Sequence, residues 1–257
     1  MTTLGTLYLV PNTLGSQTRE VQIPWVIPNN VARRAAELQF WIVENAKTAR
    51  AFLSAVNQIT PLAFPIQDIQ MQEWRGAKSN IAPESLLKDL LLGRHVGLLS
   101  EAGLPAVADP GAEIVALAHR HHIQVQPLVG PSSLMMALMA SGMNGQRFMF
   151  HGYLAIKIPD RIAELRLLEQ QSKKLQMTQL WIETPYRNAS MLKTILQSLS
   201  PNTTLCLAID LSLPTETILR KTIQQWQRML TSSELDPLNL DKRPAVFLQS
   251  AEPKPQN

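Results

Sequence analysis

The chain has 257 residues, of which 45% are hydrophobic and 17% are charged. This composition excludes an intrinsically disordered chain, and the length is sufficient for two domains that each bury their own core. The net charge of +4 permits an RNA partner. However, the basic residues are scattered among acidic ones, which is more typical of a solvated surface than of an RNA-binding stripe.

Three features bear on the compartment in which the chain works. The beginning, Met1-Thr-Thr-Leu, lacks the basic start and apolar core of a signal peptide. No stretch reaches the ~20 apolar residues that a membrane span requires. The single cysteine, Cys206, lies in an apolar run and has no partner for an internal disulfide, which suits a reducing compartment. We therefore expect a cytoplasmic protein without a membrane partner.

Short apolar runs alternate with amphipathic stretches along the first half of the chain. The sequence predicts strands at 7–10, 40–43, 62–65, 96–99 and 123–128, and helices at 31–38, 46–56, 84–92 and 114–120. The polar stretch 67–79 is predicted to be an exposed loop. This alternation indicates a mainly parallel sheet that is covered by helices.

The same alternation continues in the second half. Strands are predicted at 148–150, 180–183, 205–209 and 245–249, and helices at 134–140, 160–174, 188–199 and 221–229. We place a domain boundary between residues 129 and 130, so that an N-terminal α/β domain spans 1–129 and a C-terminal α/β domain spans 130–257. No long linker separates the two domains, and we expect them to pack together around a shared cleft.

Two turns rich in glycine and proline follow predicted strands and precede predicted helices. The first reads Ser-Glu-Ala-Gly-Leu-Pro-Ala-Val-Ala-Asp-Pro-Gly at 100–111, and the second reads Val-Gly-Pro-Ser-Ser at 129–133. Ligands bind at such turns in open α/β sheets because backbone N–H groups are unpaired there. Neither the G-x-G-x-x-G nor the G-x-x-x-x-G-K-[ST] pattern occurs, which argues against a dinucleotide or phosphate-loop site.

Three histidines lie close together in the sequence at the end of a predicted helix: His119, His121 and His122. A positive imidazole suits the carboxyl end of a helix, where exposure is expected. No carboxylate or cysteine accompanies the histidines at the spacing of metal ligands. We therefore expect no metal centre in this protein.

Four segments occur in a fixed order: SEAGLPAVADPG at 100–111, VGPSS at 129–133, FHGYLAIK at 150–157 and ETPYR at 183–187. Together they resemble the tetrapyrrole-methylase-like class of S-adenosylmethionine (SAM) methyltransferases. Within it they are most similar to the branch that methylates a ribose 2′-hydroxyl of small-subunit ribosomal RNA. The resemblance implies two packed α/β domains, a mixed C-terminal sheet and SAM in the inter-domain cleft. It also implies ribosomal RNA or the small ribosomal subunit as partner, and a homodimer.

In this class SAM is held largely through the main chain, and SAM has no phosphate that would need a cationic cradle. Carried over to this chain, the resemblance assigns the cofactor contacts to Pro11, Ser100, Glu101, Gly103, Val107, Ser132, Ser133, Tyr186 and Leu211. Glu101 stands where the class usually has an aspartate, so the charge is kept on a longer side chain.

The segments on the substrate side depart from the pattern of the class. The usual A-E-D-T-R-H-T-R becomes Val-Glu-Asn-Ala-Lys-Thr-Ala-Arg at 43–50, and E-L-T-K-x-H-E becomes Asp-Leu-Ser-Leu-Pro-Thr-Glu at 210–216. Glu44, Glu216 and Arg220 remain, and we expect them to be catalytic. A carboxylate would assist a ribose hydroxyl, and the arginine would hold a phosphate. The alternatives are exposed salt bridges for the carboxylates and an ordinary surface position for the arginine.

Because the cofactor turns match better than the substrate-side segments, three functions stay open. The first is methyl transfer to a ribose 2′-hydroxyl of small-subunit ribosomal RNA. The second is methyl transfer by the same fold to another RNA position or to a small molecule. The third is a non-catalytic homologue that still binds SAM.

Overall fold

A computed structural model of the protein describes residues 3–15, 19–231 and 238–251. By its internal contacts the chain divides into two compact units, Met1–Ser132 and Ser133–Asn257. Ser132 and Ser133, two neighbours in the predicted cofactor site, therefore fall into different units. The boundary between residues 129 and 130 stays a prediction.

The first unit contains a five-stranded sheet with the strand order β3-β2-β4-β1-β5. Its strands are β1 (Thr6–Val10), β2 (Phe40–Val43), β3 (Gln70–Glu73), β4 (Val96–Leu99) and β5 (Gln124–Pro127). Every pairing between these strands is parallel, which confirms the predicted parallel sheet.

Helices cover both faces of this sheet. They are α1 (Arg19–Val26), α2 (Asn29–Glu37), α3 (Ala46–Ile59), α4 (Lys88–Leu91) and α5 (Ala112–Arg120). Successive side chains of a strand point to opposite faces. Accordingly, Tyr8 and Trp41 pack in one core with residues of α1, α2 and α3. Leu7 and Ile42 pack in a second core with residues of α4 and α5.

The second unit contains a mixed sheet with the strand order β6-β7-β10-β8-β9. Its strands are β6 (Phe148–Tyr153), β7 (Thr178–Ile182), β8 (Thr204–Ile209), β9 (Thr217–Thr222) and β10 (Ala245–Ser250), and its helices are α6 (Ser133–Ser141), α7 (Ile158–Leu175), α8 (Asn188–Ser198) and α9 (Ile223–Thr231). β6 and β7 are parallel, whereas the other pairs are antiparallel. The mixed C-terminal sheet is therefore confirmed.

The strand predicted at 62–65 is wrong. Pro61 precedes this stretch and Pro65 ends it, and Leu62 and Phe64 pack against the core without pairing to a strand. The third strand is instead β3, inside the stretch that we predicted as a loop. Its residues, Gln-Met-Gln-Glu, lack the apolar alternation of a strand because β3 lies at the edge of the sheet.

One further prediction needs correction, and two elements were not predicted at all. The helix predicted at 84–92 is a 3₁₀ turn at Pro83–Leu87 followed by the short α4. Helix α1 was not predicted; it contains Pro24, a residue that is unfavourable in the interior of a helix. Strand β9 was not predicted either, because its polar residues gave no apolar run. Within the described residues, no helix is both long and apolar enough to cross a membrane.

The order of the strands marks one edge of the first sheet as a ligand-binding edge. β1 and β4 lie side by side, but the connection after β1 leads past β4 to β2, whereas the connection after β4 leads past β1 to β5. Open α/β sheets bind ligands beyond the carboxyl ends of their strands where the connections reverse direction in this way. The turns after β1 and β4 lie at this reversal.

Candidate functional site

The turns after β1 and β4 are held together by Asn12. Its side-chain amide donates hydrogen bonds to the carbonyl oxygens of Ser100 and Glu101, at 2.9 and 3.0 Å. Its backbone N–H donates to the carbonyl oxygen of Gly103 at 2.8 Å. The residue is buried. Sequence reasoning missed Asn12, and an asparagine in a turn directly after a strand was the only available signal.

Two glycines permit the close approach of the turns. Gly103 has φ +65°, and a Cβ atom there would lie 3.3 Å from Cδ2 of Leu14. A Cβ atom at Gly130, in the turn after β5, would lie 2.1 Å from Cβ of Pro11. The structure thus brings Pro11, Ser100, Glu101 and Gly103 together, beside the turn that leads to Ser132.

Two of the predicted cofactor contacts lie between residues with strained backbone. Val107 is exposed between Ala106 (φ +65°) and Ala108 (φ +64°). In the second unit, Leu211 is buried between Asp210 (φ +51°) and Ser212 (φ +67°). Positive φ costs a non-glycine residue on the order of 1 kcal/mol. Such strain clusters at functional sites, which agrees with the roles that we assign to both turns.

The strain predicts a stabilising substitution. We expect Ala106→Gly to raise the free energy of unfolding by roughly 0.5–1 kcal/mol, because glycine adopts a positive φ without a steric penalty. Urea denaturation measures the change. The matched control is Ala51→Gly in the interior of α3, where glycine is expected to cost roughly 0.5–1 kcal/mol. A loss of stability in both variants would contradict the strain at Ala106.

Three carboxylates, which we call the acidic cluster, lie at the same edge of the first sheet: Glu44, Glu101 and Asp109. Val43 of β2 is paired in register with Leu99 of β4, so that Glu44 and Ser100 leave the two strands at the same level. The backbone N–H of Glu101 donates to Oε1 of Glu44 at 3.0 Å. The pairing of β2 with β4 therefore brings Glu44 beside Glu101.

The electrostatics of the acidic cluster favour protonation of Asp109. Burial raises the pKa of Asp109 to about 7, and the charges of Glu44 and Glu101 act in the same direction. Burial also raises the pKa of Glu44, against the hydrogen bond from the Glu101 backbone. Sequence reasoning missed Asp109, although it stands in the Asp-Pro-Gly of the first turn, because its environment comes from other segments.

Among the residues that the structure describes, Glu44 has no ion-pair partner within 4.0 Å. It is half-buried, and its carboxylate accepts the backbone hydrogen bond from Glu101. Nearby, the Nε–H of Arg75 donates to the backbone carbonyl of Glu44 at 2.9 Å, while the same guanidinium lies 3.6 Å from the carboxylate of Glu73. Glu44 therefore holds the turn after β4 in place.

The other predicted residues lie in the second unit. Glu216 is exposed and accepts a hydrogen bond from the backbone N–H of Ser212 at 2.8 Å, in the turn that also contains Leu211. Arg220 is exposed on β9. Tyr186 is 72% exposed in the 3₁₀ turn that follows β7. The structure thus brings Glu216 and Leu211 into one turn and places Tyr186 after a different strand.

Arg243 anchors the turn that contains Leu211 and Glu216. Its Nε–H donates to Oδ2 of Asp210 at 2.7 Å, and a second N–H donates to the carbonyl oxygen of Leu238 at 3.0 Å. Asp210 also accepts a hydrogen bond from the hydroxyl of Thr215 at 2.7 Å. These bonds hold the turn in its strained conformation.

The three histidines at the end of α5 are exposed, as expected. In the part of the chain that the structure describes, no group of three or more His, Cys, Asp or Glu side chains has the arrangement of a metal site.

Comparisons with known proteins agree with this architecture. The chain is 37% identical over 118 residues to the ribosomal RNA small subunit methyltransferase I of Mesorhizobium japonicum, covering 46% of this chain and 39% of the relative. It is 27% identical over 253 residues to the protein of that name from Haemophilus influenzae, covering 98% of this chain and 81% of the relative. In several such matches the chain spans 39% to 50% of the relative's length.

A solved structure of uroporphyrin-III C-methyl transferase from Thermus thermophilus, complexed with S-adenyl homocysteine, is similar in fold. The TM-score is 0.54 at 17% identity, and the match covers 96% of this chain and 97% of that chain. The family model for tetrapyrrole (corrin/porphyrin) methylases matches residues 32–227. This match confirms the resemblance that the four motifs indicated. The chain belongs to the family of tetrapyrrole (corrin/porphyrin) methylases.

Proposed function

We propose that this protein is a SAM-dependent methyltransferase whose acceptor is a ribose 2′-hydroxyl of small-subunit ribosomal RNA. Membership of the methylase family supports methyl transfer, and the names of the relatives support the acceptor. The observation that carries the proposal is the pair of turns after β1 and β4, joined by Asn12 at the reversal of the sheet.

The residues at this edge fit SAM. The acidic cluster supplies negative charge for a cationic ligand, and the turns supply backbone donors and acceptors. The side-chain hydroxyl of Ser100 is buried and has no hydrogen-bond partner among the described residues. It is therefore available to form a hydrogen bond with a ligand. When bound, SAM supplies an electrophilic methyl group on a sulfonium.

We assign the cofactor contacts to residues of both units. They are Pro11, Ser100, Glu101, Gly103, Val107 and Ser132 in the first unit, and Ser133, Tyr186 and Leu211 in the second. The strained backbone around Val107 and Leu211 supports their assignment.

We assign the acceptor side to Glu44, Glu216 and Arg220. The exposure of Arg220 supports contact with a phosphate of an RNA strand. Glu216 is exposed as well, but its carboxylate already accepts the backbone hydrogen bond of Ser212, so that its role includes holding the turn.

The assignment of Arg220 predicts a salt-dependent effect. We expect Arg220→Ala to raise the KM for the RNA acceptor and to reduce the slope of log affinity against log salt by about one, because one phosphate contact is lost. Filter binding between 50 and 200 mM salt, roughly the range in which such slopes are resolved, measures this. Arg120→Ala, at the exposed end of α5, is the control. An unchanged slope in Arg220→Ala would show that Arg220 does not contact a phosphate of the RNA.

One experiment separates the three functions. Small ribosomal subunits from a strain without this gene are incubated with the purified protein and methyl-labelled SAM, and the RNA is digested and analysed by mass spectrometry. Label on a ribose 2′-oxygen supports the proposal, whereas label on another atom or on a small molecule supports the second function. Binding of SAM without transfer to any acceptor supports the non-catalytic homologue, and absence of SAM binding overturns all three.

We further propose that the protein is a cytoplasmic homodimer. In the second unit, α6 exposes Met135 and Met139, and the edge strand β6 exposes Phe148, Met149 and Tyr153. Exposed apolar side chains of this kind support a contact surface for a second copy.

A further inference from the structure

Two glutamines in the core of the second unit have side-chain amides that are only half paired. Gln179 of β7 and Gln249 of β10 are both 0% exposed. Within the described part of the chain, the amide nitrogen of Gln179 and the amide oxygen of Gln249 have no hydrogen-bond partner. An unpaired buried amide group is costly, and folded proteins pair nearly all such groups with other protein atoms or with water. The two atoms therefore point to a bound ligand.

The two glutamines are neighbours on one face of the second sheet. Gln179 and Gln249 are directly paired between the antiparallel strands β7 and β10, a position in which two Cβ atoms lie about 4.5–5.5 Å apart. Alternate residues of a strand share a face. Trp181 and Phe247, each two residues away, stack on each other with 5.8 Å between their ring centroids. The unpaired nitrogen and the unpaired oxygen therefore belong to one small region of the core.

The opposite ends of both amides are paired, which fixes their orientation. Nε2 of His151, in β6, lies 2.6 Å from Oε1 of Gln179, and it donates because an amide oxygen only accepts. The amide nitrogen of Gln249 donates to the carbonyl oxygen of Leu165, in α7, at 3.5 Å. Since β7 lies between β6 and β10, the amide nitrogen of Gln179 is on the side of β10. Gln179 thus offers a donor toward Gln249, and Gln249 offers an acceptor.

We propose that one ordered water molecule binds between Gln179 and Gln249. The water accepts a hydrogen bond from the amide nitrogen of Gln179 and donates one to the amide oxygen of Gln249. It fits both groups because it donates and accepts at once, whereas a cation would meet the N–H groups of Gln179 and an anion would meet the carbonyl oxygen of Gln249. Buried waters in proteins bind in this way to polar groups that lack another partner.

The water completes a chain of hydrogen bonds from an edge strand to a helix. The chain joins His151 of β6 to Leu165 of α7 through the two glutamines. β6 needs this support because its pairing with β7 shifts register between Phe150 and Tyr153, where Gly152 has φ +65°. We therefore expect the water to hold the irregular part of β6 against the core. This inference does not depend on the proposed function.

A crystal structure of the wild-type protein, at a resolution that shows ordered water, tests the site directly. We expect one water within about 3.2 Å of both Nε2 of Gln179 and Oε1 of Gln249. In the double variant Gln179→Met, Gln249→Met we expect this water to be absent, because methionine has nearly the length of glutamine without its amide group. A direct hydrogen bond between the two amides, or a molecule larger than water between them, would overturn the proposal.

Urea denaturation gives a second test that needs no crystal. Each single variant, Gln179→Met or Gln249→Met, leaves polar groups of the chain unpaired and is expected to lower the urea midpoint by roughly 0.5–1 M. The double variant is expected to lose clearly less than the sum, because the water leaves together with both of its partners. Gln170→Met, at an exposed position of α7, is the matched control. Additive losses would show that no bound molecule couples the two amides, and the inference would be wrong.

Discussion

Replacement of Gly103 by valine is expected to lower the affinity for SAM about 100-fold or more, a loss of about 2.7 kcal/mol. Gly103 has φ +65°, which a β-branched residue adopts only with strain. The new side chain would also press on Leu14, since a Cβ atom would lie 3.3 Å from its Cδ2 atom. To relieve this, the turn must move away from Asn12, whose N–H bonds to the carbonyl oxygen of Gly103.

Isothermal titration calorimetry with SAM and S-adenosylhomocysteine measures the effect. Gly145→Val is the matched control, because no atom lies within 4 Å of a Cβ at this exposed glycine. Circular dichroism checks that both variants keep the fold. If Gly103→Val binds SAM with wild-type affinity, the turn at 100–111 does not contact the cofactor. Absence of binding by the wild-type protein at millimolar SAM would overturn the cofactor assignment itself.

Replacement of Arg243 by alanine is expected to destabilise the second unit by about 3 kcal/mol. The side chains of Arg243 and Asp210 are only 19% and 8% exposed, and removal of the arginine leaves the Asp210 carboxylate buried without its ion-pair partner. The hydroxyl of Thr215 then remains as its hydrogen-bond donor. A buried charge that loses its partner costs far more than a surface ion pair.

Urea denaturation followed by tryptophan fluorescence measures this loss, because Trp181 and Trp226 are buried in the second unit. Lys242→Ala replaces the neighbouring exposed residue, for which a change within about 0.5 kcal/mol is expected. We also expect weaker SAM binding in Arg243→Ala, since the turn that contains Leu211 loses its anchor. A loss no larger than that of the control would show that the ion pair contributes nothing to this unit.

Much of the fold could be predicted from the sequence because the central strands are continuous apolar runs. β2 and β4 are buried on both faces of a parallel sheet, and their bounds, 40–43 and 96–99, were predicted correctly. The polar edge strand β3 was missed because a strand with one neighbour need not be apolar. Helix α1 was missed because a proline inside a helix is tolerated only when the surroundings compensate.

Some residues of the candidate site could likewise be predicted from the sequence, and others could not. Ser100, Glu101 and Gly103 lie in one segment whose composition already indicates a ligand-binding turn. Sequence reasoning did not single out Asn12 and Asp109, because their importance comes from contacts with other segments.

The sequence by itself determined the alternation of strands and helices, the two turns and the family, because these depend on local composition and order. Only the tertiary structure decided that β4 lies between β2 and β1. That order places Glu44 beside Ser100 and Glu101 and joins Asn12 to the turn after β4. In the folded chain Asp109 is half-buried, and burial together with the charges of Glu44 and Glu101 raises its pKa to about 7. Burial and charge depend on residues that are distant in the chain, and local patterns carry no information about them.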